Sequence, residues 1–98
     1  MAIKKQYLKN SSICKVTFSI DAKEAGNVSV IGDFNGWNTK ADPLKKLKSG
    51  TFKGTVDLQK GQSYEFRYAV DGDYVNDEEA DDYLWNDFAA GENGVLNI

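Results

Sequence analysis

Apolar and polar residues alternate with a period of two through most of the chain, as in strands that bury one face. In ICKVTFSI (13–20), Cys14, Val16, Phe18 and Ile20 fall on one face, and Lys15, Thr17 and Ser19 on the other. After a KEAGN turn, VSVIG (28–32) reads as a short second strand. In TFKGTVDL (51–58), Phe52, Gly54, Val56 and Leu58 alternate with Thr51, Lys53, Thr55 and Asp57. QKGQ then turns the chain into SYEFRYAV (63–70), where Tyr64, Phe66, Tyr68 and Val70 alternate with Glu65, Arg67 and Ala69. DGD (71–73) is a tight-turn signal, and VLNI (95–98) closes the chain as another strand.

Five or more short strands without a helical period predict an all-β fold, an antiparallel β-sandwich. The one proline, Pro43, falls in the loop NTKADPLKKL, where it does no harm to a sheet. Residues 1–12 read as a basic N-terminal arm with Ile3, Tyr7 and Leu8 as anchors, and residues 13–98 as the sandwich. No linker, repeat or low-complexity tract divides the chain, so a single module is expected.

The same alternation sorts the polar residues. Arg67 falls on the face opposite Phe66 and Tyr68, so it is expected on the outer surface of its strand, with Tyr74 just past the following turn. In VIGDFNGWN (30–38), the glycine turns at Gly32 and Gly36 and the side chains of Asp33 and Asn35 are expected to stiffen the loop. Phe34 then points inward and Trp37 is presented outward. From loop composition alone, Trp37 capping the end of the core is an equal alternative.

Charge and composition exclude several function classes. Twelve basic against fifteen acidic residues give a net charge of −3. That balance argues against a phosphate backbone as the main partner, so no nucleic acid is expected. The lysines of TKADPLKKLK read as a solvated loop. One cysteine and no histidine rule out an internal disulfide and zinc-type ligand sets. Cys14, within an apolar alternation, reads as a small buried hydrophobe. The N-terminus lacks the apolar core of a signal peptide, and no run reaches spanning length, so the expected address is cytoplasmic, without a membrane.

The acidic run DGDYVNDEEADD fails the EF-hand pattern, because Val75 and Asn76 stand where a ligand and the glycine belong. It reads as a solvated acidic loop. Paired carboxylates for glycoside hydrolysis would have to come from that one crowded segment, and a sandwich of this size has little room for a cleft. No enzyme and no cofactor are expected.

VSVIGDFNGWN, the proline-containing DPLKKL, the turn LQKGQ, then YEFRYAVDG and a closing GENGVLNI together resemble carbohydrate-binding module family 48. That family includes the glycogen-binding domain of the AMP-activated protein kinase β subunit and the early-set domains of isoamylases and glycogen branching enzymes. The resemblance runs from about residue 13 to the C-terminus. It implies an immunoglobulin-like early-set β-sandwich that binds α-1,4-linked glucan, with catalysis left to a separate barrel domain.

By that resemblance Trp37 stacks on a glucose ring. Arg67 stands where the kinase-type module has lysine, Tyr74 where tryptophan is common, and Asn93 at the asparagine of the closing segment. The kinase-type module inserts a leucine loop before that asparagine; here the stretch is FAAGEN, with Ala89 and Ala90. Trp85 matches no position of the motif. Early-set domains also pack against enzymes, so the alternative function is a docking module for a glycogen-metabolising enzyme, with Trp37, Tyr74 and Trp85 as its contact patch.

Overall fold

The computed structural model of the chain describes residues 2–77, 79–86 and 91–98. Among the described residues nine strands run in order: β1 Ala2–Tyr7, β2 Ile13–Asp21, β3 Val28–Gly32, β4 Lys45–Lys46, β5 Thr51–Gln59, β6 Ser63–Val70, β7 Asp73–Val75, β8 Asp82–Asn86 and β9 Gly91–Asn97. A 3₁₀ turn, Asp33–Asn35, follows β3. The strands form two antiparallel sheets, one ordered β1-β2-β5-β4 and the other β3-β6-β9-β8, with β7 pairing beside β6. The expected immunoglobulin-like early-set antiparallel β-sandwich is the fold found.

The predicted inward residues build the core. Cys14, Val16 and Phe18 of β2, Val30 of β3, and Phe66 and Tyr68 of β6 are fully shielded from solvent. The rings of Phe18, Phe66 and Tyr68 meet pairwise at 5.5–6.1 Å in tilted or edge-on contact. Such pairs add about 0.5–1.5 kcal/mol each beyond the area they bury. Cys14 is buried with a free thiol, as its alternation predicts.

The first dozen residues depart from the expected arm. Ala2–Tyr7 instead pairs antiparallel with β2, from Ala2 opposite Ser19 to Tyr7 opposite Cys14. Ile3 packs against the core. Lys5 leaves the arm-like pattern too, bridging to Asp81 at 2.5 Å. The consecutive Lys4 and Lys5 hid an edge strand, because an edge tolerates charge that a central strand does not.

The acidic run also differs from a purely solvated loop. Asp77 is fully buried; its carboxylate accepts the Tyr68 hydroxyl at 2.5 Å and the Glu79 backbone N–H at 2.7 Å. Burial, with the Asp77 carboxylate second, pushes the Tyr68 phenol far above its ordinary range. No described helix is long and apolar enough to cross a membrane.

Candidate functional site

The outer face of the β3-β6-β9-β8 sheet carries the side chains that the alternation turns away from the core. Directly opposed residues in antiparallel strands share a face, so the register assigns its rows. Ile31 stands opposite Arg67. Ser29 stands opposite Ala69, which in turn stands opposite Tyr74. Arg67 and Ala69 are two residues apart on β6, so Tyr74 belongs to the row next to Arg67 on the same face. Tyr74 is 59% exposed.

The loop that carries Trp37 is held rigidly, by the residues expected to do so. Asn35 Oδ1 accepts the Gly32 N–H at 3.1 Å, while Asn35 Nδ2 donates to Val30 O at 3.0 Å and to Asp42 at 2.7 Å. Asp33 accepts the Glu65 N–H at 2.9 Å, tying the loop to β6. Phe34 turns inward, its ring 6.4 Å from Phe18 and 6.2 Å from Tyr64.

Gly36 and Trp37 both adopt left-handed backbone, with φ 66° and 60°. Glycine takes that conformation freely, whereas a bulky residue there costs about 1–2 kcal/mol. The Trp37 N–H closes back on Gly32 O at 3.0 Å. The clamped loop therefore dictates the tryptophan's backbone, and its side chain remains half-buried rather than sunk.

The polar residues sit deeper than the alternation alone predicts. Arg67 lies on the outer face as expected, yet only 9% of it is exposed. Its Nη2 donates to Glu92 O at 2.6 Å. Asn93 is 1% exposed and its Nδ2 donates to Glu65 at 3.3 Å. The alternation reports which way a side chain leaves its strand, not what covers it afterwards.

Asn76, absent from the sequence-based candidates, joins this cluster by donating to the same Glu92 carbonyl at 2.7 Å. Its position two residues beyond Tyr74 was the available signal. Three buried polar atoms here lack a hydrogen-bond partner among the described residues: Arg67 Nε, Asn76 Oδ1 and Asn93 Oδ1. Unused buried capacity of this kind costs about 1–3 kcal/mol per group, and it marks a site that accepts further hydrogen bonds. The expected Ala89 and Ala90 stretch lies outside the described residues. Among the described residues no acidic, cysteine or histidine cluster is arranged to hold a metal.

On the other side of the Tyr74 row, a cleft of about 850 Å³ opens between Tyr74 and the loop carrying Thr39, Lys40 and Pro43. On the edge strand β8, Leu84 and Trp85 are 50% and 65% exposed and, as strand neighbours, leave it on opposite faces, Leu84 on the face of Asn93.

The family model described as carbohydrate-binding module 48 (isoamylase N-terminal domain) matches residues 6–84. That span includes Trp37, Arg67 and Tyr74, while Asn93 lies beyond it. The 1,4-alpha-glucan branching enzyme GlgB of Corynebacterium jeikeium (strain K411) is 43% identical over 68 residues, covering 67% of this chain and 9% of that enzyme. The GlgB of Deinococcus radiodurans is 41% identical over 64 residues, covering 64% of this chain and 9% of that enzyme. The match thus spans under a tenth of these relatives' length. The chain belongs to carbohydrate-binding module family 48.

Proposed function

We propose that this family 48 module binds α-1,4-linked glucan without cleaving it, using Trp37 and Tyr74 as platforms and Arg67 and Asn93 for hydroxyls. One observation carries the reading: an exposed Tyr74 ring rises from the outer face one row from Arg67. The family and the relatives named for 1,4-alpha-glucan support that ligand class.

A pyranose presents apolar C–H patches on its faces and hydroxyls around its rim. A flat aromatic covers the first, and amide or guanidinium groups take the second. Arg67 Nε and Asn93 Oδ1 hold unspent donor and acceptor capacity. A hydroxyl both donates and accepts, so it matches that buried pair through a bridging water. Each ring platform is worth about 1–3 kcal/mol by analogy with base stacking. Two of them, less ordering costs, give affinity on the order of micromolar to millimolar.

Calorimetric titration of maltoheptaose into the wild type, Trp37→Ala and Tyr74→Ala tests this reading. Saturable binding weakened by both substitutions supports it; equal binding by all three proteins refutes the stacking role.

The exposed Leu84 and Trp85 on the edge strand β8 favour a second reading, docking onto a glycogen-metabolising enzyme. Under that reading maltoheptaose does not bind at millimolar concentration, and a Leu84→Ser, Trp85→Ser variant loses retention of a purified branching enzyme.

A further inference from the structure

We infer that the glucan site continues past Tyr74 into a trough across β6 and β3, where a second stretch of the same chain lies. The inference rests on the reading above and extends it.

The register places Pro43, Ser29, Ala69 and Tyr74 in one row, each opposite the next, on the outer face. With neighbouring strands about 4.8 Å apart, the two ends of the row stand about 14 Å apart. The middle positions are the smallest side chains of the row and the ends carry rings, so the row is a depression with two walls. Ser29 and Ala69 are only 6% and 7% exposed although they face outward, as a floor between taller flanks must be. This row lines one part of the 850 Å³ cleft, with Thr39 and Lys40 beside Pro43 on the far wall, while the inward-facing Val28, Leu44 and Phe52 line another. That volume falls within the range of about 300–1,000 Å³ typical of small-molecule sites.

The lining suits a neutral polyol. Tyr74 and Pro43 offer flat apolar surface, while Ser29 and Thr39 offer hydroxyls that both donate and accept. The lining is of mixed charge, with Lys40 and Lys46 against the Asp71 carboxylate. Lys46 Nζ is committed to Ala25 O at 3.2 Å, and the Asp71 carboxylate stands at the end of the trough, holding the Gly26 and Asn27 N–H groups. The far wall is itself fixed in place. Asp42 O accepts the Val30 N–H at 3.1 Å, and the Leu44 N–H reaches Val28 O at 2.8 Å. The trough is preformed, so a chain settling into it does not have to order its walls.

Because Arg67 is two residues from Ala69 on the same face, the trough adjoins the first site without a break. A glucan occupying both gains affinity with length, whereas a short one fills only the Tyr74 end.

The test compares maltotriose with maltoheptaose by calorimetry on the intact chain. In the wild type, maltoheptaose is expected to bind about tenfold more tightly, the increment of one further ring contact. Ala69→Leu raises the floor and should reduce the ratio to within about twofold while sparing maltotriose. Should that variant fail to fold by circular dichroism, the exposed-loop pair Thr39→Ala, Lys40→Ala serves instead, with a ratio below about half the wild-type value expected. A wild-type ratio retained in a folded variant overturns the trough and leaves the first site standing. Binding of neither sugar by the wild type overturns both.

Discussion

Ala69 stands directly opposite Tyr74, so the tyrosine ring rises from the outer face of the sheet beside Arg67. A tight turn at Asp71 and Gly72 returns the chain as the three-residue strand β7 and thereby fixes an aromatic platform on rigid backbone. Sites carried on paired strands hold their geometry more closely than sites on free loops.

Removing that platform should separate binding from stability. Tyr74→Ala is expected to weaken maltoheptaose binding by about tenfold, the loss of one stacking contact. The urea midpoint should hardly move, because the ring is mostly in water. A large drop in midpoint would show that Tyr74 props the fold.

Phe66→Ala should do the reverse. Its ring is fully buried, 5.5 Å from Phe18 and 5.9 Å from Tyr68. Truncating a large core aromatic costs about 3–5 kcal/mol, measurable as a lower urea midpoint at unchanged slope. A cost under about 1 kcal/mol would contradict the assigned inward face.

The two glycines of the tryptophan loop answer to different physics. Gly32 is extended, but a Cβ there would lie 2.4 Å from Glu65 O and 2.7 Å from Phe34. Backbone cannot yield as a flexible side chain can, so Gly32→Ala should be severe. Gly36 has open space around it and needs only its left-handed φ, so Gly36→Ala should cost about 1 kcal/mol. Thermal unfolding of the two variants checks the order; the reverse order contradicts the loop geometry.

The strand pattern was legible because the core-facing period of two survives in the sequence of β2, β5 and β6. The inward Phe34 and the stiffening roles of Asp33 and Asn35 were legible as well, since short polar side chains near glycine turns have few local partners. Strands β1 and β8 escaped because edge strands need not alternate cleanly. The depth of Arg67 and Asn93 escaped because burial on an outer face depends on segments distant in sequence. Cross-strand register is likewise invisible in one sequence, so the row from Pro43 to Tyr74 emerges only from the fold.

Acid should loosen the turn beneath Tyr74. Backbone N–H groups of Gly26, then Asn27, hold the exposed Asp71 carboxylate below its ordinary value. A depressed carboxylate contributes stability that is present above the unfolded pKa and is lost as pH falls through the folded one. The urea midpoint should therefore decline from about pH 5 downward, and Asp71→Asn should make that decline shallower. Asn tolerates the left-handed backbone found at this position, φ 48°. Some slope should remain. Although burial works against it, the Lys5 bridge and the Asn97 N–H also hold Asp81 down. An unchanged slope in Asp71→Asn would contradict the role given to this carboxylate.

The most direct test uses Trp37 as its own reporter. Trp85→Phe leaves Trp37 as the single tryptophan, and maltoheptaose is then titrated while its emission is followed. A saturable change whose midpoint moves about tenfold higher in the added Tyr74→Ala background is the predicted result. Flat emission at millimolar sugar in a folded protein, with calorimetry equally silent, would contradict glucan binding at this face.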